Sequence, residues 1–159
     1  MMTLYLAGGL FNAGERLHNL YIEKELKALG YTIISPQRRA LDFFHDGKFD
    51  IDMIVLDCQM CATHPEAILV ACIDGADADS GTCVEYGMAI AVNNRAIVYR
   101  TDFRTNIANE AGINAMLRGP NTTIIYKPCY YTELAEAELF YHELALEIHL
   151  AIQKLLNSD

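Results

Sequence analysis

The run EAILVACID, residues 66–74, constrains the fold more than any other stretch of the chain. Between its two acidic ends every residue is apolar, and the run is short for a buried helix. A strand without a polar face has to be covered on both sides, which is the situation of a strand inside a parallel sheet. Four other segments read as strands: TLYLA at 3–7, YTIIS at 31–35, RAIVYR at 95–100 and TTIIY at 122–126. Gly8 and Gly9 end the first, and Pro36 closes the second.

Helical patterns fill the intervals. Ile22, Leu26 and Leu29 recur at i, i+4 and i+7, with Gly30 placed to stop the helix. A short helix is expected from Asp50 to Cys61, another from the end of the DGADADSG loop to about Val92, and a turn of helix around Gly112 to Leu117. The last helix runs from about Thr132, with Leu144, Ile148, Ala151 and Leu155 on one face. Residues 37–49 are polar and irregular and are expected to form a mobile loop. Strands alternating with crossovers of this length predict an α/β fold, a single domain over residues 1–159 with five parallel strands and flanking helices. In such sheets ligands bind beyond the carboxyl ends of the strands. AGG after the first strand and DGADADSG after the third fall there.

Composition narrows the partners. A net charge of −9 over 159 residues argues against polymeric nucleic acid, which is held by clustered Lys and Arg. No apolar stretch approaches the length needed to span a bilayer, and MMTLYLAGGLF lacks the basic start of a signal peptide. Five cysteines without a secretory signal predict reduced thiols and a cytoplasmic protein.

Several motifs carry chemistry in principle. AGGLFNAG does not fit G-x-G-x-x-G, so the glycines serve either a tight turn or the close approach of a ligand. Cys58, Cys61 and His64 in CQMCATH lack a fourth zinc ligand at suitable spacing, and the two thiols are expected to be buried on an apolar face. No metal and no cofactor is expected. His142 and His149, seven apart on the last helix, read as surface or packing residues.

Asp74, Asp77 and Asp79 precede Glu85 in one acidic loop. Thr82-x-x-Glu85 has the form of a capping box, in which Glu85 serves only its own helix. The other reading makes Glu85 a nucleophile for glycosyl transfer, ionised by the helix dipole, with Asp79 or a neighbour as the second acid group.

Three segments together resemble the nucleoside 2-deoxyribosyltransferase family: YLAGGLF at 5–11, DGADADSGTCVEYGMAIA at 74–91 and GINAMLRG at 112–119. The resemblance implies a flavodoxin-like, Rossmann-like fold. It also implies that Glu85 attacks C1′ of a 2′-deoxynucleoside, that Tyr5 holds Glu85, and that Asp79 binds the base or assists its protonation. Substrate contacts are implied for Gly8, Gly9, Phe11, Asp74, Gly75, Ser80, Gly81 and Met116. Asn114 would reach the sugar 5′-hydroxyl in a neighbouring subunit, so the protein would be a homo-oligomer acting on deoxynucleosides and free nucleobases. The family carries an acidic residue near Cys58, and a shift of one residue assigns that base-contacting role to Asp57. The 37–49 loop would cover the site.

Two relatives of this chemistry and one non-catalytic reading compete. A hydrolase of the same superfamily cleaves deoxynucleoside 5′-monophosphates and needs a phosphate pocket, for which Ser80 and Arg118 are candidates. The lysine-decarboxylase-like phosphoribohydrolases carry a P-G-G-x-G-T loop that DADSGT lacks. A nucleoside-sensing module would bind without turnover.

Overall fold

The computed structural model describes residues 2–104 and 113–157. Its main sheet contains β1 (Thr3–Ala7), β2 (Thr32–Ile34), β5 (Ala67–Cys72), β6 (Ala96–Arg100) and β7 (Thr122–Tyr126). They are all parallel and lie in the order β2-β1-β5-β6-β7. A small antiparallel ribbon, β3 (Phe44–His45) with β4 (Lys48–Phe49), stands apart from it. The helices are α1 (Ala13–Ala28), α2 (Pro36–Arg39), α3 (Ile51–Ala62), α4 (Ser80–Ala91) and α5 (Leu134–Leu156). Among the described residues no helix is long and apolar enough to cross a membrane.

The alternation of side chains along each strand divides the core. Leu4, Leu6, Ile68, Val70 and Ile97 face α1 and α5, where Ile22, Leu26, Leu144 and Ile148 are buried against them. Tyr5, Ala7, Leu69, Ala71 and Val98 face α3 and α4. Every residue of β5 from Ala67 to Ala71 is buried, because helices cover both faces. This side of β1 therefore carries a tyrosine hydroxyl into the layer between the sheet and α4.

The chain winds outward from β1 to β2, returns, and continues from β5 to β7. The winding reverses between β1 and β5, which opens a crevice at the carboxyl ends of those two strands.

The segment expected to be an irregular loop is ordered locally. Pro36 sits at the first position of α2, where its missing N–H is no loss. Gln37 is buried, accepting from Asn19 Nδ2 at 3.1 Å and donating to Arg16 O at 3.2 Å. Arg38 clamps Glu23 through Nε at 2.9 Å to each carboxylate oxygen. A 3-10 turn, Ala40–Phe43, leads into the ribbon, whose two-residue turn is Asp46-Gly47 with φ of 51° and 77°. Asp-Gly favours that doubly left-handed turn, and the Phe44 and Phe49 rings, 4.7 Å apart, pack across it. The other expected boundaries shift by one or two residues. Of the late segment, Ala115–Leu117 forms a 3-10 helix, while Gly112 lies outside the described residues.

Candidate active site

The loop after β5 reaches α4 through Asp79. Its carboxylate accepts from Thr82 N at 2.8 Å and from Thr82 Oγ1 at 3.0 Å, so Asp79 is the N-cap. Thr82 lies inside the helix, and Glu85 falls in the second turn. The capping-box reading of Thr82-x-x-Glu85 is thereby corrected, as is the idea that Glu85 sits in the first turn against the helix dipole. A cap belongs to the residue whose backbone is not yet helical, and that residue is Asp79, with φ −54° and ψ 131°.

Glu85 instead faces a cavity of about 760 Å³, a volume suited to a small organic ligand. Gly81, Thr82 and Met88 share its helix stripe, and Val84 beside it also lines the cavity. Tyr5, only 1% exposed, rises from the sheet beneath and donates its hydroxyl to Glu85 Oε1 at 2.7 Å. Eighty residues separate the two in sequence. Burial raises the Glu85 pKa above the ordinary glutamate value; the Tyr5 hydrogen bond and the neighbouring Cys58 thiol pull it back, and the Asp79 charge pushes it up again. Burial, then the Glu85 charge, raises Tyr5 far above an ordinary phenol, so its hydroxyl stays a donor.

The remaining walls come from three places. Gly8, Leu10 and Phe11 follow β1; a Cβ at Gly8 would come within 3.2 Å of Cys72 Cβ. Phe11 is 80% exposed at the rim. Pro36, Ala40, Phe43 and Phe49 bring the 36–49 segment over the opening. From α3 come Ile54, Val55, Asp57 and Cys58, and from α1 comes Arg16. The lining is mostly apolar, with few polar groups set into it.

Several expected contacts stand elsewhere. Asp74 accepts from Thr101 N at 2.6 Å and Asp102 N at 2.8 Å, tying the β5 loop to the end of β6. Gly75, at φ 118°, donates to Asp102 and accepts from the buried Arg100 at 2.9 Å. Neither lines the cavity, because their polar groups are used up in joining the two loops. Gly9 is also off the lining; a Cβ there would be 2.7 Å from the Glu15 carboxyl carbon. Asp57 does line the cavity, but Arg39 grips its carboxylate through Nε at 2.7 Å and through Nη2. Ser80 lines it too. Asn114 caps the 3-10 turn through Met116 N at 2.9 Å, and Met116 is 83% exposed; both lie away from this chain's cavity.

Cys58 is the residue that spacing misjudged. It is half-buried and lines the cavity together with Glu85. Cys61 is buried behind it, as expected. Arg16 was also passed over, since a lone arginine on an amphipathic helix carries no motif.

Among the described residues, His18, Cys72 and Asp74 come close enough to share an ion. Both ring nitrogens of His18 are already met by the Tyr99 and Tyr141 hydroxyls, at 2.8 and 3.0 Å. His149 packs on Tyr31, and His142 on Glu25.

A sequence model described as nucleoside 2-deoxyribosyltransferase matches residues 4–116. Among solved structures, the chain resembles a conserved protein from Enterococcus faecalis V583, with TM-score 0.64 and 21% identity, covering 97% of this chain and 98% of that one. It resembles a 2-deoxyribosyltransferase from Bacillus psychrosaccharolyticus with TM-score 0.56 and 22% identity, over 86% and 90% of the two chains. For a 2-desoxiribosyltransferase from Leishmania mexicana the values are 0.58 and 15%, over 90% and 98%. At these identities the likeness is one of fold. Comparison with curated protein sequences gives no match.

Proposed function

This chain belongs to the nucleoside 2-deoxyribosyltransferase family, and from that premise we propose that it transfers a 2-deoxyribosyl group between nucleobases through a covalent Glu85 intermediate. The observation that carries the reading is the Tyr5–Glu85 hydrogen bond of 2.7 Å at an apolar cavity beside the sheet's switch point. A carboxylate so placed has one oxygen steadied and the other free to attack.

In the first step Glu85 bonds to C1′ as the C1′–N bond breaks, and the base leaves with the electron pair and gains a proton. In the second, a nitrogen of the incoming base bonds to C1′, the ester to Glu85 breaks, and that base loses its proton. Two inversions retain the anomeric configuration. One Asp79 oxygen is engaged by Thr82, and the other oxygen is the candidate contact for the departing base. Gly8, Phe11, Ser80 and Gly81 would flank the substrate. Asp57 would meet the base only together with Arg39, as an ion pair rather than a lone acid.

The working unit we infer is a homo-oligomer in which Asn114 and Met116 complete a neighbour's site. Supporting this, Leu56 and Met60 on α3 are exposed apolar residues outside the cavity lining.

Incubation with deoxyinosine and adenine tests the proposal: deoxyadenosine should form. Release of free deoxyribose without a new nucleoside would refute transfer. One observation favours a second reading, hydrolysis of deoxynucleoside 5′-monophosphates: Arg16 and Ser80 both line the cavity and suit a phosphate. Consumption of deoxyinosine monophosphate in preference to deoxyinosine would establish that reading instead.

A further inference from the structure

We propose that Arg39 is a positioning residue: its fork on Asp57 joins two walls of the Glu85 cavity and keeps water from the bound deoxyribosyl group, so that transfer to a base wins over hydrolysis. The inference deepens the function proposed above and rests on it for its catalytic meaning.

Arg39 ends α2, and Asp57 lies midway along α3. Nε donates to one Asp57 oxygen at 2.7 Å and Nη2 to the other. A guanidinium offers two such parallel donors, where a lysine offers a point charge. Between the two residues the chain makes an excursion through the 3-10 turn and the β3–β4 ribbon, and returns at Asp50, the cap of α3. Phe43 O accepts from Asp50 N at 2.9 Å, which closes the ribbon at its neck. The Arg39–Asp57 pair then fastens that neck to the side of α3. Gln37 and Arg38 reach the other way, onto α1. Three consecutive residues therefore hold the root of the segment between two helices.

The pair stands at a junction in the cavity. Ala40, Phe43 and Phe49 belong to one wall, and Ile54, Val55 and Asp57 to the next. The Arg39 side chain is 44% exposed and that of Asp57 12%, so the fork reaches from solvent to the lining. Isolated surface pairs contribute little. This one is two-pronged, has one partner largely buried, and closes a loop whose ends are already fixed.

The consequence falls between the two chemical steps. While the deoxyribosyl group is esterified to Glu85, the first base has to leave and the second has to enter. Water reaching C1′ in that interval would form a C1′–O bond, break the ester to Glu85, pass a proton to solvent and release deoxyribose. Apolar walls offer water few hydrogen bonds, but they exclude it only while they meet. Arg39 keeps them together without touching the reacting atoms.

The test begins with amide hydrogen exchange on the ligand-free full chain: wild type, Arg39→Ala, Asp57→Asn and the double variant. Exchange in peptides covering residues 40–50 should rise by about fivefold in each, with α1 and the main sheet unchanged. Because either substitution breaks the same pair, the double variant should show no further rise. Unchanged exchange in Arg39→Ala, or rises that add in the double variant, would overturn the proposal. Should the alanine variant not fold, Arg39→Gln, which keeps length without charge, is read in the same way. With deoxyinosine and saturating adenine, the ratio of free deoxyribose to deoxyadenosine should rise by about threefold or more in Arg39→Ala, as the exposed ester meets water. A ratio equal to that of wild type also overturns it. The exchange measurement needs no substrate, so a wild type without transfer activity sinks the functional reading and leaves the latch itself standing.

Discussion

The starts of α1 and α4 are built to one plan and end differently. Each follows a glycine-bearing loop at the carboxyl end of a central strand, and each has a glutamate three residues after a capping-type residue. In α1 the pattern is what it looks like. Asn12 accepts from Glu15 N at 3.1 Å, and Glu15 returns to Phe11 N at 2.7 Å and Asn12 N at 3.3 Å. In α4 Asp79 takes the cap, Thr82 becomes its client, and Glu85 is carried one turn deeper to meet Tyr5. A glutamate committed to backbone amides is a structural group; one relieved of that duty by an aspartate is available to a substrate.

The largest expected effect separates the two glutamates outright. Glu85→Gln should lower kcat by about a thousandfold or more, as loss of a nucleophile does. Glu15→Ala should leave kcat standing and instead lower stability by about 1 kcal/mol, the usual worth of a cap. Denaturant melts and steady-state rates on both variants would expose any exchange of roles.

Tyr5→Phe is expected to come next. Removing one hydrogen bond to a charged group is worth about 1.5–3 kcal/mol, or roughly 10- to 100-fold in kcat. The acidic limb of the rate profile should also rise, because Tyr5 lowers the Glu85 pKa. A rate loss without that shift would mean that Tyr5 acts through packing.

Asp79→Ala bears on both roles at once. It should destabilise the protein by about 1 kcal/mol through the cap, while Asp79→Asn keeps most of that stability. If the asparagine variant folds normally yet transfers slowly, the second Asp79 oxygen has a part in catalysis. Equal rates for the asparagine variant and wild type would confine Asp79 to capping.

The smallest effect is a dependence of stability on pH. The Glu85 pKa is raised in the folded state, so folding favours its protonated form. The stability associated with that form is complete below the ordinary value of 4.5 and is lost as pH rises through the higher folded value. Glu85→Gln should therefore melt at a higher temperature than wild type at pH 7, with the difference closing below about pH 4.5. A variant less stable than wild type at pH 7 would restore a structural role to Glu85.

Much of this contrast was legible before folding. The apolar run 66–74, the strand at 3–7 and the final helix are strong local patterns, and the structure keeps them. Glu85 stood out by its motif and Tyr5 through the family resemblance, whereas the Asn12–Glu15 capping box was not singled out. Less legible was the 36–49 segment, although Asp46-Gly47 carries a hairpin-turn signal; its order depends on Gln37, Arg38 and Arg39 reaching α1 and α3. Cys58 was hidden because only the rotation of α3 about its axis decides which of its side chains line the cavity. Asp74 looked like a ligand group and proves to be a loop tie, which only the end of β6 reveals.

By itself the sequence determined the periodic features: which segments are strands, which faces are apolar, and that the glycine loops fall at strand ends. Burial of apolar surface is local and additive enough for these to follow from pattern. Tertiary structure alone decided which residue caps α4, which α3 side chains line the cavity, and which acids reach it. Those outcomes depend on hydrogen bonds between groups as far apart as Tyr5 and Glu85, and a rotation of 100° per residue suffices to change them.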